Sequence, residues 1–253
     1  MPNSNRANTL AVRIFKNLLN YQEALSMQSA IEEARKNGFC MDTLLLLQHH
    51  HCITVGKRAE DGLSNVKTNL RELTRLGIQV CRTDRGGDVT YHGPGQFVCY
   101  PIIDLRRRKI GARKYVEGLE RAMIEVARKH GIMDAEGGKR DKNGRDMSGV
   151  WVGERKLGAV GVKISGGVTS HGFALNAYTD LGFFREHVVP CGLEGKDVTS
   201  LEDLCRENSN YDSAAKMDGG FSEKINRERV EIEIVDAFAK LFDYDEVFTR
   251  RIG

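Results

Sequence analysis

Apolar positions recur along the chain with two periods. In residues 21–36, Ala24, Met27, Ile31 and Ala34 repeat at helical spacing; in residues 112–130, Val116, Leu119, Met123 and Val126 do so more regularly, with Gly131 as a stop. Shorter apolar or alternating runs predict strands at 10–15, 44–47, 79–82, 97–103, 150–152, 157–162 and 172–175. Glycines between the last three suggest antiparallel hairpins. Residues 223–242 predict a further helix, although Val230 to Ile234 also alternates apolar and charged in the manner of a strand. The polar stretches 134–148 and 205–222 predict surface loops. Strands and helices are mixed rather than strictly alternating, which favours α+β over a doubly wound parallel sheet. No repeat or boundary interrupts the chain, so one domain over 1–253 is expected, with 1–9 as an N-terminal stub.

Composition changes this picture little. At 253 residues, 40% apolar and 29% charged, the chain has an ordinary globular makeup and can bury a sizeable core. A net charge of +3 is too small to point to nucleic acid. The one basic run, Arg106-Arg107-Arg108-Lys109, reads as a solvated loop or as a docking patch for an acidic partner protein. No apolar run approaches the ~20 residues that cross a bilayer, and no secretory signal is read. The six cysteines are scattered without a C-x-x-C pair, so reduced thiols are expected rather than a zinc site or a disulfide framework. His49-His50-His51 looks like a metal tract, but consecutive residues do not share a face, which disfavours metal binding.

Two segments stand apart from the periodic pattern. Arg85-Gly86-Gly87-Asp88-Val89-Thr90-Tyr91-His92-Gly93-Pro94-Gly95-Gln96 packs four glycines and a proline into twelve residues beside charged and aromatic side chains. Such a loop suits a backbone that turns sharply and lies close against a ligand. Pro190-Cys191-Gly192 places a cysteine between two chain-turning residues, outside any apolar run. A nucleophilic cysteine needs a nearby cation or base to become a thiolate. His92, His171, His187, Lys156 and Lys163 are all candidates, and spacing alone does not choose among them.

With the runs Gly149 to Gly161, Ser170 to Asn176, His187 to Gly192 and Val198 to Leu201, the glycine loop resembles the lipoyl(octanoyl) transferase family, in register from about residue 10 to residue 204. The resemblance implies a mixed, largely antiparallel sheet flanked by helices, like the biotin and lipoate protein ligase catalytic domain. It implies transfer of an octanoyl group from octanoyl-acyl carrier protein, through a Cys thioester, to a lysine of lipoyl carrier domains. Those acceptors belong to the 2-oxoacid dehydrogenase complexes and the glycine cleavage H-protein. No cofactor and no metal are implied, since the donor thioester is already activated; ATP-dependent ligases and non-catalytic lipoyl-domain scaffolds are the rival classes.

The family's acyl-enzyme cysteine falls on Cys191 and its partner lysine on Lys156, while Lys163 stands where relatives commonly carry arginine. Substrate-lining positions carry over to Arg85, Gly86, Gly87, Asp88, Val89, Thr90, Tyr91 and His92, to Ala159, Val160 and Gly161, and to Gly172, Phe173 and Ala174. The stretch around Ile110 to Glu117 looks most like mitochondrial members, so the mitochondrial matrix is expected, with bacterial cytoplasm as the alternative.

Overall fold

A computed structural model describes residues 8–59, 63, 65–140, 144, 147–189, 196–211 and 225–253, without the side chains of 209–211. The strands are β1 (Thr9–Phe15), β2 (Asp42–Leu47), β3 (Cys52–Val55), β4 (Gln79–Arg82), β5 (Val89–His92), β6 (Gln96–Ile102), β7 (Glu136–Gly137), β8 (Gly149–Val152), β9 (Arg155–Ser165), β10 (Val168–Asn176), β11 (Asp197–Val198) and β12 (Glu246–Ile252). The helices are α1 (Tyr21–Lys36), α2 (Leu70–Arg75), α3 (Leu105–Arg108), α4 (Ala112–Lys129), α5 (Gly182–His187), α6 (Leu201–Tyr211) and α7 (Arg227–Leu241).

Among the described residues, the larger sheet runs β12-β1-β2-β6-β10-β9-β8-β7, with β11 on the end of β9. The β12-β1 and β1-β2 pairs are parallel; β2-β6, β6-β10, β10-β9, β9-β8 and β8-β7 are antiparallel. The sheet is therefore mixed and largely antiparallel, as the sequence predicts. A smaller sheet, β4-β3-β5, stands beside it.

Side-chain alternation divides the core into two layers. Leu44, Leu46, Phe97, Cys99, Phe173 and Leu175 join Leu119, Met123, Ile234 and Phe238 on the α4–α7 face. Leu45, Leu47, Val98, Tyr100, Ile102 and Ala174 meet Ala24 and Ile31 of α1 on the other. The central strand β2 is buried on both faces, which explains its unbroken leucine run.

Several boundaries differ from expectation for physical reasons. The inward face of α1 carries Gln28, Glu32 and Arg35 beside Ala24 and Ile31, while Met27 packs against the core only half-buried and Ala34 is half-buried, because the face meets polar groups: His171 N–H donates to Gln28 Oε1 at 2.7 Å, and Arg35 Nε donates to Asp42 Oδ1 at 2.7 Å. Residues 205–211, expected in a loop, continue α6, since Leu201, Leu204 and Cys205 lie against the core and Ser200 Oγ accepts the Asp203 N–H. The remainder of 205–222 lies outside the described residues. Within 134–148, Ala135 and Met147 are buried and β7 pairs with β8, so its ends belong to the fold. Residues 227–241 are helical despite the alternation at 230–234, with Val230, Ile234 and Phe238 sharing the core face. β12 lies outside the predicted elements; its Val247 and Phe248 are exposed, and its strand is made by pairing with β1. Thr9, placed in the stub by the sequence reading, begins β1.

The basic run divides. Arg106 and Arg107 are exposed, whereas Arg108 is buried against Asp42, donates to Phe242 O, and stacks 3.8 Å from the Tyr244 ring centroid. Arg108→Ala is expected to destabilise the protein by about 3 kcal/mol, and Arg107→Ala to stay within about 0.5 kcal/mol. Urea unfolding of the two variants checks this.

Candidate active site

A cleft of about 650 Å³, its open mouth included, runs between the glycine loop and the larger sheet. Lys156, Ala159, Val160 and Gly161 of β9 form one part of its wall; His171, Gly172, Phe173 and Ala174 of β10 continue it. Arg85, Gly87, Asp88, Val89, Thr90 and His92 close it from the loop side. Tyr21 from α1, Val98 and Tyr100 from β6, and Arg58, Ser148 and Phe184 complete the lining.

Lys156 reaches this cleft because β9 is bulged. Trp151 pairs with Lys156 but Val150 pairs with Gly158, so Leu157 has no partner on β8. Leu157 and Val162 pack with the α4–α7 core, and Gly158 lies under Met123 of α4. Counting back by twos from Val162 would put Lys156 on that same face. The extra residue turns it to the other side, where its side chain is buried. Its Nζ donates to Ser148 O at 2.9 Å and stands 5.1 Å from the Trp151 ring centroid.

The glycine loop is braced by its own arginine. Buried Arg85 donates to Thr54 O at 2.8 Å, to Thr54 Oγ1 at 2.9 Å and to Gly86 O at 3.0 Å. The segment 56–58 runs along the loop, and a Cβ on Gly56 would stand 2.4 Å from Gly87 O. From Arg85 a relay of buried hydrogen bonds crosses the site. Thr54 Oγ1, holding Arg85, faces His92 Nε2 at 3.5 Å; His92 Nδ1 donates to Gln96 Oε1 at 2.6 Å; Gln96 Nε2 donates to Asn176 Oδ1 at 2.9 Å. Asn176 Nδ2 donates to Thr199 O at 2.9 Å, and Thr199 N–H donates to the Lys156 carbonyl at 3.0 Å. Burial holds the His92 imidazole neutral, its pKa pushed down to about 3. His49 is likewise neutral at about 4, its Nδ1 donating to Leu19 O at 3.0 Å and its Nε2 accepting from Tyr100 Oη at 2.7 Å.

His171 stands at the far end of the β9 wall from Lys156. It pairs with Val162, six residues along β9, roughly 20 Å at ~3.3 Å per residue. It is a non-glycine residue at φ +56° within a strand, a conformation held by its surroundings rather than by preference. Its Nε2 donates to Asp84 Oδ1 at 2.9 Å, and Lys163 Nζ holds the other carboxylate oxygen at 2.9 Å. Burial alone would raise the Asp84 pKa, but these two bonds bring it down to about 2. The same bond to Asp84 raises that of Lys163. His171 also lines a neighbouring polar cleft with Gln28, Glu32, Asp84 and Lys163, so its ring stands between the two spaces.

Of the five candidate bases, then, Lys156, His92 and His171 line the cleft. Lys163 lies in the polar cleft, and His187 is turned away, its Nδ1 2.7 Å from Thr68 Oγ1. Gly86 and Tyr91 do not line it: the Gly86 N–H donates to Val162 O at 2.9 Å, and Tyr91 enters an apolar cluster with Ile53, Val55 and Phe184. Cys191, with Pro190 and Gly192, lies outside the described residues. On the near side of that segment, Val189 N–H donates to Asn65 O at 2.9 Å, and Asn65 Nδ2 donates to Asp88 Oδ2 at 2.6 Å. On the far side, Lys196 pairs with Glu154, and Val198 pairs with Lys156.

The family model for the lipoyl protein ligase A/B catalytic domain matches residues 20–217. The mitochondrial octanoyltransferase LIP2 of Arabidopsis thaliana is 44% identical over 90% of this chain and 87% of its own length. An octanoyltransferase of Solibacter usitatus is 49% identical over 74% of this chain and 80% of its own. The chain belongs to the octanoyltransferase family. Solved structures agree on the fold alone. A putative lipoate protein ligase from T. acidophilum with bound lipoic acid superposes with TM-score 0.69 at 17% identity, covering 97% of this chain and 89% of that one. A lipoate-protein ligase A bound with ATP gives 0.64 at 16%, with the same coverage.

For an octanoyltransferase-family chain, sequence reasoning missed Tyr21, Arg58, Val98, Tyr100, Ser148 and Phe184 as cleft residues. Period-two alternation through β6 sets Val98 and Tyr100 on one face, which is the signal available for those two. Tyr21 offers only its place at the start of a helix.

The buried imidazoles make stability depend on pH. Folded His49 has a pKa below the unfolded ~6.5, so its contribution is present above pH 6.5 and is lost as pH falls toward 4. Unfolding free energy is expected to drop on the order of 1–2 kcal/mol between pH 7 and pH 5 from this group alone, and His49→Gln to flatten that slope. Urea melts at the two pH values test both expectations.

Proposed function

We propose that this chain transfers an octanoyl group from octanoyl-acyl carrier protein, through a thioester on Cys191, to a lysine of lipoyl carrier domains. The observation that carries the reading is an apolar-walled cleft with the Lys156 amine delivered into it, in a chain 44% identical to an octanoyltransferase over 90% of its length. The five described cysteines, Cys40, Cys52, Cys81, Cys99 and Cys205, support it by contrast, since burial raises the pKa of each thiol and leaves them poor nucleophiles.

The mechanism follows from the groups present. An ammonium beside Cys191 favours its thiolate. The thiolate attacks the donor thioester carbon, and collapse of the tetrahedral adduct expels the carrier thiolate, which takes a proton from Lys156. The acceptor lysine approaches the acyl-enzyme and gives up its ammonium proton to solvent; its neutral nitrogen attacks, neutral Lys156 takes the second proton from that nitrogen, and Cys191 leaves as thiolate. The product is an amide, with no oxidant, metal or nucleotide consumed. Burial of the alkyl chain along β9 and β10 contributes about 0.8 kcal/mol per methylene. The acceptors are the lipoyl domains of 2-oxoacid dehydrogenase complexes and the glycine cleavage H-protein. The compartment is the mitochondrial matrix, in line with the Arabidopsis relative; the bacterial relatives correspond to the cytoplasmic alternative.

Intact-protein mass after mixing with octanoyl-acyl carrier protein is expected to show one octanoyl adduct, mapped to Cys191 and discharged by a lipoyl domain. Cys191→Ala abolishes it, Lys156→Met slows it by 100-fold or more (roughly the general acid–base contribution), and Lys163→Arg leaves it intact. ATP-dependent octanoylation of the lipoyl domain without an adduct would move the chain to the ligases. A dead Lys163→Arg with an active Lys156→Met would reverse the dyad.

The exposed Arg106 and Arg107 remain available to dock the acidic carrier protein, whereas Arg108 is committed to the fold. Arg106→Gln with Arg107→Gln is expected to raise the apparent KM for octanoyl-acyl carrier protein and to weaken its salt dependence. A small octanoyl thioester should be used as before; unchanged KM and salt dependence would remove the docking role.

A further inference from the structure

The amide joining Ser148 to Gly149 is held at both ends. Its oxygen accepts from Lys156 Nζ at 2.9 Å, and its N–H donates to Glu120 Oε1 at 2.8 Å. Both bonds belong to one planar peptide, so its orientation is fixed from two sides. Glu120 comes from the middle of α4, outside the cleft lining, and is only 5% exposed. A carboxylate is costly to bury there unless its oxygens are used. The fold makes room for the arrangement. A Cβ on Gly137 would stand 3.0 Å from Glu120 Oε2. Gly149 has φ +126°, and a Cβ on it would stand 2.7 Å from Lys156 Cε and 2.3 Å from Gly158 O.

We propose that Glu120 is a positioning residue for acyl transfer, setting the place of the Lys156 amine through the Ser148–Gly149 peptide. The inference rests on the assignment of Lys156 and Cys191 to the reaction. A carboxylate that accepts the amide N–H polarises the peptide and strengthens its oxygen as an acceptor for the amine. Lysine's four-carbon stem is flexible, so an oriented carbonyl narrows where its end group can stand. The action of Glu120 on the amine runs through the one peptide it holds.

The test uses the full chain and three substitutions: Glu120→Met, which removes the acceptor; Glu120→Gln, which keeps an amide oxygen; and Glu120→Asp, which keeps the charge but withdraws it by one methylene. The readouts are the pH profile of Cys191 alkylation by iodoacetamide, followed by peptide mass, and kcat and KM for transfer to a lipoyl domain. Glu120→Met is expected to move the alkylation profile to higher pH and to lower kcat by roughly 10- to 100-fold with KM little changed. Glu120→Gln should recover most of both, and Glu120→Asp should shift both in the direction of Met, which keeps the test decisive should Met not fold. Folded Glu120→Met or Glu120→Asp with wild-type profile and kcat overturns the proposal, as does a Glu120→Gln as impaired as Met. Lys156→Met run alongside separates the two levels. If it leaves the profile unmoved, the dyad itself fails; if it shifts the profile and the Glu120 variants do not, only the positioning role fails.

Discussion

The antiparallel pairing of β9 with β10 is the constraint on which the site depends. Eight paired positions, from Gly158–Leu175 to Ser165–Val168, lock the two strands in register. Along this one ladder lie the Lys156 amine at one end, a wall of small and apolar residues in the middle, and the His171–Asp84–Lys163 cluster at the other. Because side chains in a strand have fixed sides and fixed spacing, a slip of one residue would turn every side chain of this wall to the opposite side of the sheet. The α4–α7 layer and α1 hold the ladder from its two faces, so the hydrophobic core and the geometry of the cleft are set by the same contacts.

Polar groups buried around the ladder serve this register rather than oppose it. The relay from Arg85 through Thr54, His92, Gln96, Asn176 and Thr199 ends on the carbonyl of Lys156. Each member is a donor or acceptor that would cost free energy unpaired in a region of low dielectric. The glycine loop, β6, β10 and the entry to α6 are thereby fixed relative to one another. A neutral His92 suits this part, since its two ring nitrogens, one donating and one accepting, face partners of opposite kind.

Much of the fold was legible because its elements follow simple periods. The helices α1 and α4 and the strands β2, β6, β8 and β10 lie within a few residues of where apolar spacing put them. What spacing misjudged was the inward face of α1. A rule that sends apolar residues inward cannot foresee that Gln28 and Glu32 would meet His171 and Lys163 from far along the chain, or that Arg35 would meet Asp42 of the next strand. β12 was illegible for a related reason: an edge strand with exposed side chains owes its conformation to backbone pairing with β1.

For the site, the sequence by itself determined the family, the glycine loop and the short list of ionisable side chains, because these are matters of residue type and local order. Spacing left His92, His171, His187, Lys156 and Lys163 open, and the family resemblance put the partner lysine on Lys156. The tertiary structure gave each its place, turning His187 toward Thr68, engaging Lys163 with Asp84 and Glu32, and lining the cleft with Lys156, His92 and His171. The decisive step was the unpaired Leu157 in β9. One bulged residue reverses which side of the sheet Lys156 faces, and a bulge arises from the pairing of two strands, which no one-dimensional spacing contains.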